Sequence, residues 1–145
     1  VIDFGARYEG YNSDMTRTIC LGEPDETFRI VYDTVLAAQM TASATVLPTM
    51  TSGEADGIAR EIIEQAGYGE QFGHSLGHGI GLAVHEYPRV GPRSDDPLAD
   101  GTVFTIEPGI YIPGWGGVRI EDTVIMEDGK VRSLTTSHKN ENPKV

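Results

Sequence analysis

TVFTIEPGIYI (residues 102–112) and GVRIEDTVIMEDGKVRSL (residues 117–134) decide how this chain is read. Both runs are rich in β-branched and aromatic residues and punctuated by Gly and Pro, so both are strand-like. The Asp-Gly pair inside EDGK (127–130) signals a tight hairpin. Upstream, residues 68–100 are rich in Gly, His and Pro and read as loop with at most one short strand. Two helical patterns precede that region. In GEPDETFRIVYDTVLAAQMTASATVLP, residues Phe28, Val31, Tyr32, Val35 and Leu36 recur at helical spacing. Pro24 suits the first turn, Asp25 and Glu26 complement the helix N-terminus, and the helix should stop before Pro48. TSGE (51–54) matches a capping box. Ile58, Ala59, Ile62, Ile63 and Ala66 then form one apolar face, ended by Gly67. At the start, Val1–Gly5 and Met15–Leu21 read as strands joined closely enough to pair antiparallel. The order strand, strand, helix, helix, then several strands predicts an α+β fold, with helices on one face of a largely antiparallel sheet.

The composition is that of a globular domain. The chain has 145 residues, 39% hydrophobic and 23% charged, enough for one domain with a sizeable core. No apolar run approaches the roughly 20 residues of a membrane span, and a formal net charge of -11 disfavours nucleic acid and anionic membranes as partners. The single cysteine, Cys20, excludes an internal disulfide and fits a reducing, cytoplasmic setting. Its place in TICL predicts a buried structural thiol. The chain starts at Val1 directly on a strand-like run, which suggests a piece of a longer protein. The tail TTSHKNENPKV reads as mobile, with His138 a surface residue.

Several acids lie inside strand-like runs: Asp3, Asp14, Glu107, Glu121 and Asp122. A carboxylate flanked by apolar residues costs stability unless a cation or hydrogen bonds meet its charge. Arg7, Arg17 and Arg119 are near enough in sequence to neutralise some of them, and salt bridges at an exposed edge would account for the pattern. A metal site is the other account. GHSLGHGIGLAVHEYP (73–88) holds three of the four histidines, His74, His78 and His85. Imidazole is the commonest metal ligand, and carboxylates with one His suit a pair of divalent ions such as Mn, Co, Fe or Zn. The glycines around His78 would let backbone pass close to such a site. Other chemistries fit poorly. GHGIG lacks the full dinucleotide register and a Walker lysine. No H-E-x-x-H is present, and GHSLG (73–77) lacks the strand before and helix after that a serine nucleophile elbow needs.

Taken together, DFGARYEGYNSDMTRT, GHSLGHGIGLAVHEYP and FTIEPGIYIPGWGGVRIEDTV resemble the pita-bread metallopeptidases, the family of methionine aminopeptidase, aminopeptidase P and prolidase. Asp3 and Asp14 are 11 residues apart, as the family pattern wants, and the wording around His78 and Glu121 is closer to the Xaa-Pro branch. The resemblance implies a curved antiparallel sheet with helices outside, in a catalytic domain spanning residues 1–145 and lacking its N-terminal portion. It implies two divalent ions, with manganese the first expectation and Co, Zn or Fe the alternatives. Asp3 would bind one ion, Asp14 and Glu121 would bridge both, and His78 and Glu107 would hold the other. A hydroxide between the ions would be the nucleophile. Glu107 would also act as general base, His85 would stabilise the tetrahedral intermediate or position the substrate, and His74 would contact the residue after the cleaved bond. Arg119 would brace the metal-bound carboxylates, and Asp122 would point away with no metal role. The implied substrate is a peptide with proline at its second position, and a homodimer is an open option. The alternatives are a methionine aminopeptidase, a metal-free enzyme of the creatinase type, and a catalytically silent binding module of the same fold. The last two predict lost ligands, and all five ligand positions are filled.

Overall fold

A computed structural model describes residues 1–139. The chain opens with β1 (Ile2–Phe4), β2 (Arg7–Tyr8), β3 (Tyr11–Asn12) and β4 (Met15–Arg17), followed by helices α1 (Glu26–Thr45) and α2 (Ser52–Gln65). A single 3-10 turn at Gly69–Gln71 leads to β5 (Gly77–Gly79), β6 (Glu86–Val90), β7 (Val103–Ile106) and β8 (Gly109–Ile112). β9 (Gly116–Arg119), β10 (Asp122–Glu127) and β11 (Lys130–Ser133) complete it. Five strands form the main sheet in the order β11-β10-β7-β5-β6, and β1-β4, β2-β3 and β8-β9 form two-stranded pairs. All of these pairings are antiparallel. The predicted α+β architecture is therefore observed, including the early β1-β4 pair.

The helices start and stop for local reasons. Asp25 is the N-cap of α1, its carboxylate accepting from the Phe28 N–H at 2.6 Å. Pro24 thus lies before the cap rather than in the first turn. The predicted capping box on α2 is present: Thr51 accepts from the Glu54 N–H, and the Glu54 carboxylate accepts from the Thr51 N–H at 2.8 Å. Gly67 follows α2 at φ 86°, the left-handed value that glycine adopts without penalty. Ala59 and Ile63 are fully buried and Ile58 and Ile62 half-buried, whereas Ala66, expected on the same face, is exposed at the C-cap. The two helices pack on each other and on the sheet, around a core of Tyr32, Phe72, Leu76, Phe104, Ile110 and Ile120. Each such side chain contributes about 1.5–3 kcal/mol by leaving water.

The largest departure from the sequence reading falls in residues 68–100, which hold two strands, β5 and β6. The Gly-His-Gly run of β5 has poor strand propensity, yet β5 lies inside the sheet between β7 and β6. The neighbouring backbones come so close that only glycine fits. A Cβ on Gly77 would sit 1.9 Å from the Thr105 carbonyl oxygen, and one on Gly79 would sit 2.1 Å from that of Tyr87. The long C-terminal runs also divide. Residues 102–112 break at Glu107-Pro108 into β7 and β8, and residues 117–134 break at Ile120-Glu121 before β10. The hairpin falls at Asp128-Gly129, both at positive φ (54° and 77°), with Glu127 facing Lys130. Cys20 is half-buried at the core edge rather than fully buried. His138 is exposed as expected, but its carbonyl and that of Ser137 accept hydrogen bonds from Arg17, so this part of the tail is tied down. Residues 140–145 of the tail lie outside the described residues.

Candidate metal centre

Pairing brings together acids that are far apart in sequence. In the β1-β4 register Asp3 faces Thr16, and Thr16 in turn bridges to Glu121. The Glu121 N–H donates to the Thr16 carbonyl at 3.0 Å, and the Thr16 hydroxyl donates to Glu121 Oε2 at 2.6 Å. His78 projects from β5. Its N–H donates to Thr105 Oγ1 at 3.1 Å, and that hydroxyl donates to Glu107 Oε1 at 3.0 Å. One ligand atom from each of Asp14, His78 and Glu121 lies within 4.8 Å of the others. Glu107 Oε1 approaches His78 Nε2 at 3.3 Å, and Asp14 Oδ2 approaches it at 3.7 Å. Asp3 stands at the rim, its side chain 51% exposed and its Oδ2 accepting from Arg119 Nη2 at 2.6 Å.

The electrostatics are those of a site that wants positive charge. Burial, then the nearby Glu107, Asp14 and Asp3 carboxylates, push Glu121 up to about 8, against the opposing hydrogen bond from Thr16. Burial and Asp3 raise Asp14 as well. Burial pulls the His78 imidazole down, but hydrogen bonding to Glu107 and Gly79 outweighs it and the net shift is upward. Crowded carboxylates without enough cations raise one another in this way. Glu121 Oε1 is buried with no hydrogen-bond partner among the described residues, an orphan acceptor on a residue of the cluster. His78 Nδ1 lies 3.0 Å from the Gly79 carbonyl, which can only accept, so Nδ1 carries the proton and Nε2 faces the acids. A backbone carbonyl on the far ring nitrogen is the usual orienting contact of a metal-binding imidazole. This oxygen-rich set with one nitrogen fits divalent ions such as Mn, Co, Fe or Zn.

The other predicted residues surround the same place. A cavity of about 460 Å³ is lined by Asp3, His74, His78, His85, Glu107 and Arg119, among others. The exposed His85 ring lies 4.1 Å from that of His78, centroid to centroid. His74 Nδ1 lies 2.8 Å from the Ser75 carbonyl, and its Nε2 is buried without a partner among the described residues. Asp122 is turned away and held by Arg17 at 2.8 Å, Lys139 at 2.5 Å and Gln39 at 3.1 Å. A larger groove of about 900 Å³, bordered by Tyr11, Ile80, Tyr87 and Leu134, meets the cluster only through Asp14. Three supporting residues escaped the sequence reading. Thr16 links Glu121 to Arg119 Nε (3.2 Å), Thr105 links His78 to Glu107, and the Tyr111 hydroxyl accepts from Arg119 Nη1 at 2.7 Å. Nothing in the sequence marks these threonines, which are ordinary strand residues until the sheet forms.

The antiparallel pairings thus gather carboxylates and one imidazole in one place, the donor set of a metal-binding protein. The chain belongs to metallopeptidase family M24, whose model matches residues 1–128, and its fold is the pita-bread fold of that family. It is 53% identical over 139 residues to an Xaa-Pro dipeptidase of Pyrococcus furiosus, covering 96% of this chain and 40% of that protein. The crystal structure of a dipeptidase from Pyrococcus horikoshii superposes with a TM-score of 0.96 at 50% identity, covering 99% of this chain and 40% of that one. That of an X-Pro aminopeptidase from Thermotoga maritima superposes with a TM-score of 0.94 at 46% identity, covering 99% and 40%. The chain thus spans about 40% of the length of the relatives it matches.

Proposed function

We propose that this chain carries the metal-binding part of a peptidase that hydrolyses the bond before proline, as an Xaa-Pro dipeptidase or aminopeptidase. The observation that carries the reading is the convergence of Asp14, His78 and Glu121 within 4.8 Å, with Glu107 against His78. Asp3, Asp14, His78, Glu107 and Glu121 would hold two divalent ions. Such ions, when bound, lower the pKa of a water and polarise a carbonyl oxygen.

The chain's own residues then divide the remaining work. Glu107 moves the proton: a carboxylate oxygen takes it during attack and returns it to the leaving amine. Thr105, donating to Glu107 Oε1, holds that carboxylate in place. His85, exposed in the cavity beside His78, stabilises charge developing on the substrate. His74 presents Nε2 to the residue after the cleaved bond. Arg119, held by Tyr111 and Thr16, fixes the Asp3 carboxylate. The resemblance to dipeptidases and to an X-Pro aminopeptidase supports the choice of proline peptides over methionine at the N-terminus. Filled ligand positions argue against a silent binding module or a metal-free enzyme. The test is calorimetric titration of Mn²⁺ into metal-stripped protein, followed by assay of a dipeptide ending in proline. Two ions per chain and metal-dependent cleavage support the reading, and a folded protein that binds no ion overturns it.

A further inference from the structure

An ion pair on α2, an element that carries none of the candidate ligands, reaches the backbone around His74. On α2, the Asp56 carboxylate is 2% exposed and paired with Arg60 through both oxygens, Nε to Oδ2 at 2.7 Å and Nη2 to Oδ1 at 3.0 Å. An i,i+4 pair on a helix surface contributes little by itself, but this pair also reaches the backbone beyond its own helix. Arg60 Nη1 donates to the Phe72 carbonyl at 2.9 Å and Nη2 to the His74 carbonyl at 2.8 Å. Asp56 Oδ1 accepts from the Leu76 N–H at 2.9 Å. The guanidinium also lies 4.2 Å from the centre of the Phe72 ring, which stands perpendicular to the His74 imidazole with centroids 5.0 Å apart.

The segment from Phe72 to Leu76 therefore has its backbone held at three points by one ion pair. His78 does not depend on it in the same way, because β5 is paired on both sides and the His78 N–H is taken by Thr105. His74 precedes β5 and has no ladder bonds of its own. Its Nδ1 meets the Ser75 carbonyl, so Nδ1 carries the proton and Nε2 is left as a bare acceptor, buried and unpartnered among the described residues. Nε2 in this state recognises a donor N–H or O–H, or, protonated, a carboxylate.

We propose that Asp56 and Arg60 are positioning residues for His74, holding the Phe72–Leu76 backbone so that the imidazole keeps its place in the cavity wall. The inference rests on the cavity being the peptide site. A lysine at residue 60 keeps a charge for Asp56 but not the planar fork that reaches two carbonyls and a carboxylate together. In the full-length protein with saturating Mn²⁺, Arg60→Lys should lower kcat/KM for a dipeptide ending in proline about 10-fold, with much of the loss in KM. Asp56→Asn, which keeps an acceptor for Leu76, should lose less. Mn²⁺ stoichiometry should be unchanged and its affinity should stay within about threefold. In a His74→Ala background, Arg60→Lys should cost less than about twofold more, because the group it positions is gone. Equal losses in both backgrounds, no loss in either, or a matching fall in Mn²⁺ affinity would overturn the proposal. Nitrogen NMR of the imidazole tests the clamp without any turnover. His74 should be a single Nδ1–H tautomer in the wild type and a mixture in Arg60→Lys. An unchanged tautomer in the variant overturns the clamp, whereas a metal-loaded wild type that cleaves no proline peptide overturns only the peptidase reading.

Discussion

Glu121→Gln in the metal-free protein is the most direct probe of the site's electrostatics. Glu121 is 1% exposed, and its carboxyl titrates at about 8 against an ordinary value of 4.5. The folded protein therefore keeps a proton that the unfolded chain releases. Between those values the folded state binds more protons, so the metal-free protein loses stability as pH rises from 4.5 toward 8 and levels off above. At about 1.4 kcal/mol per unit, the loss between about pH 5 and pH 8 comes to roughly 3 to 4 kcal/mol. Glutamine is isosteric, its amide oxygen accepts from the Thr16 hydroxyl as Oε2 does now, and it does not ionise. Urea unfolding of chelator-treated protein at the two pH values should find the variant and wild type close at low pH. Near pH 8 the variant should be the more stable by several kcal/mol. Mn²⁺ should then rescue the wild type and leave the variant nearly unchanged, because the wild-type carboxylate gains its cation. Parallel pH profiles for the two proteins would refute the claim that Glu121 is a buried carboxylate lacking positive charge.

Asp14→Asn should abolish binding of at least one ion, read by calorimetry, while leaving far-UV circular dichroism unchanged, since its backbone bonds to Thr123 remain. Gly77→Ala should cost about 3 kcal/mol or more, or prevent folding, because its Cβ would lie 1.9 Å from the Thr105 carbonyl oxygen. A Tm within a degree of wild type would refute that. Thr51→Ala should cost about 1 kcal/mol by removing the α2 cap, measured by thermal unfolding. Arg17→Ala should destabilise by about 3 kcal/mol, because Asp122 would lose one of its two cations inside the core.

The helices were legible because their signals are local. Thr51 and Glu54 need only each other to form a capping box, and Phe28, Val31 and Val35 share a face by helical geometry alone. The turn at Asp128-Gly129 is likewise written in two adjacent residues. The Gly-His-Gly strand was not legible, because its place in the sheet comes from neighbours at Phe104 and Arg89 that override its propensity. Pro24 and Ala66 went astray by a residue or two, where helix ends depend on which group caps them.

By itself the sequence determined which chemistry was on offer: five ligand-type residues in the family's order, an α+β layout, and a net charge of -11. Only the tertiary structure decided which of those groups share charge. Glu121 meets the Thr16 hydroxyl 105 residues away, and Glu107 comes to His78 because β7 pairs with β5. The structure also set the Asp56–Arg60 pair, an unremarkable i,i+4 motif in sequence, against the backbone of His74. Side-chain type is a local property, whereas burial and mutual distance exist only once the sheet has closed, and those two quantities set both the raised Glu121 and the need for a cation.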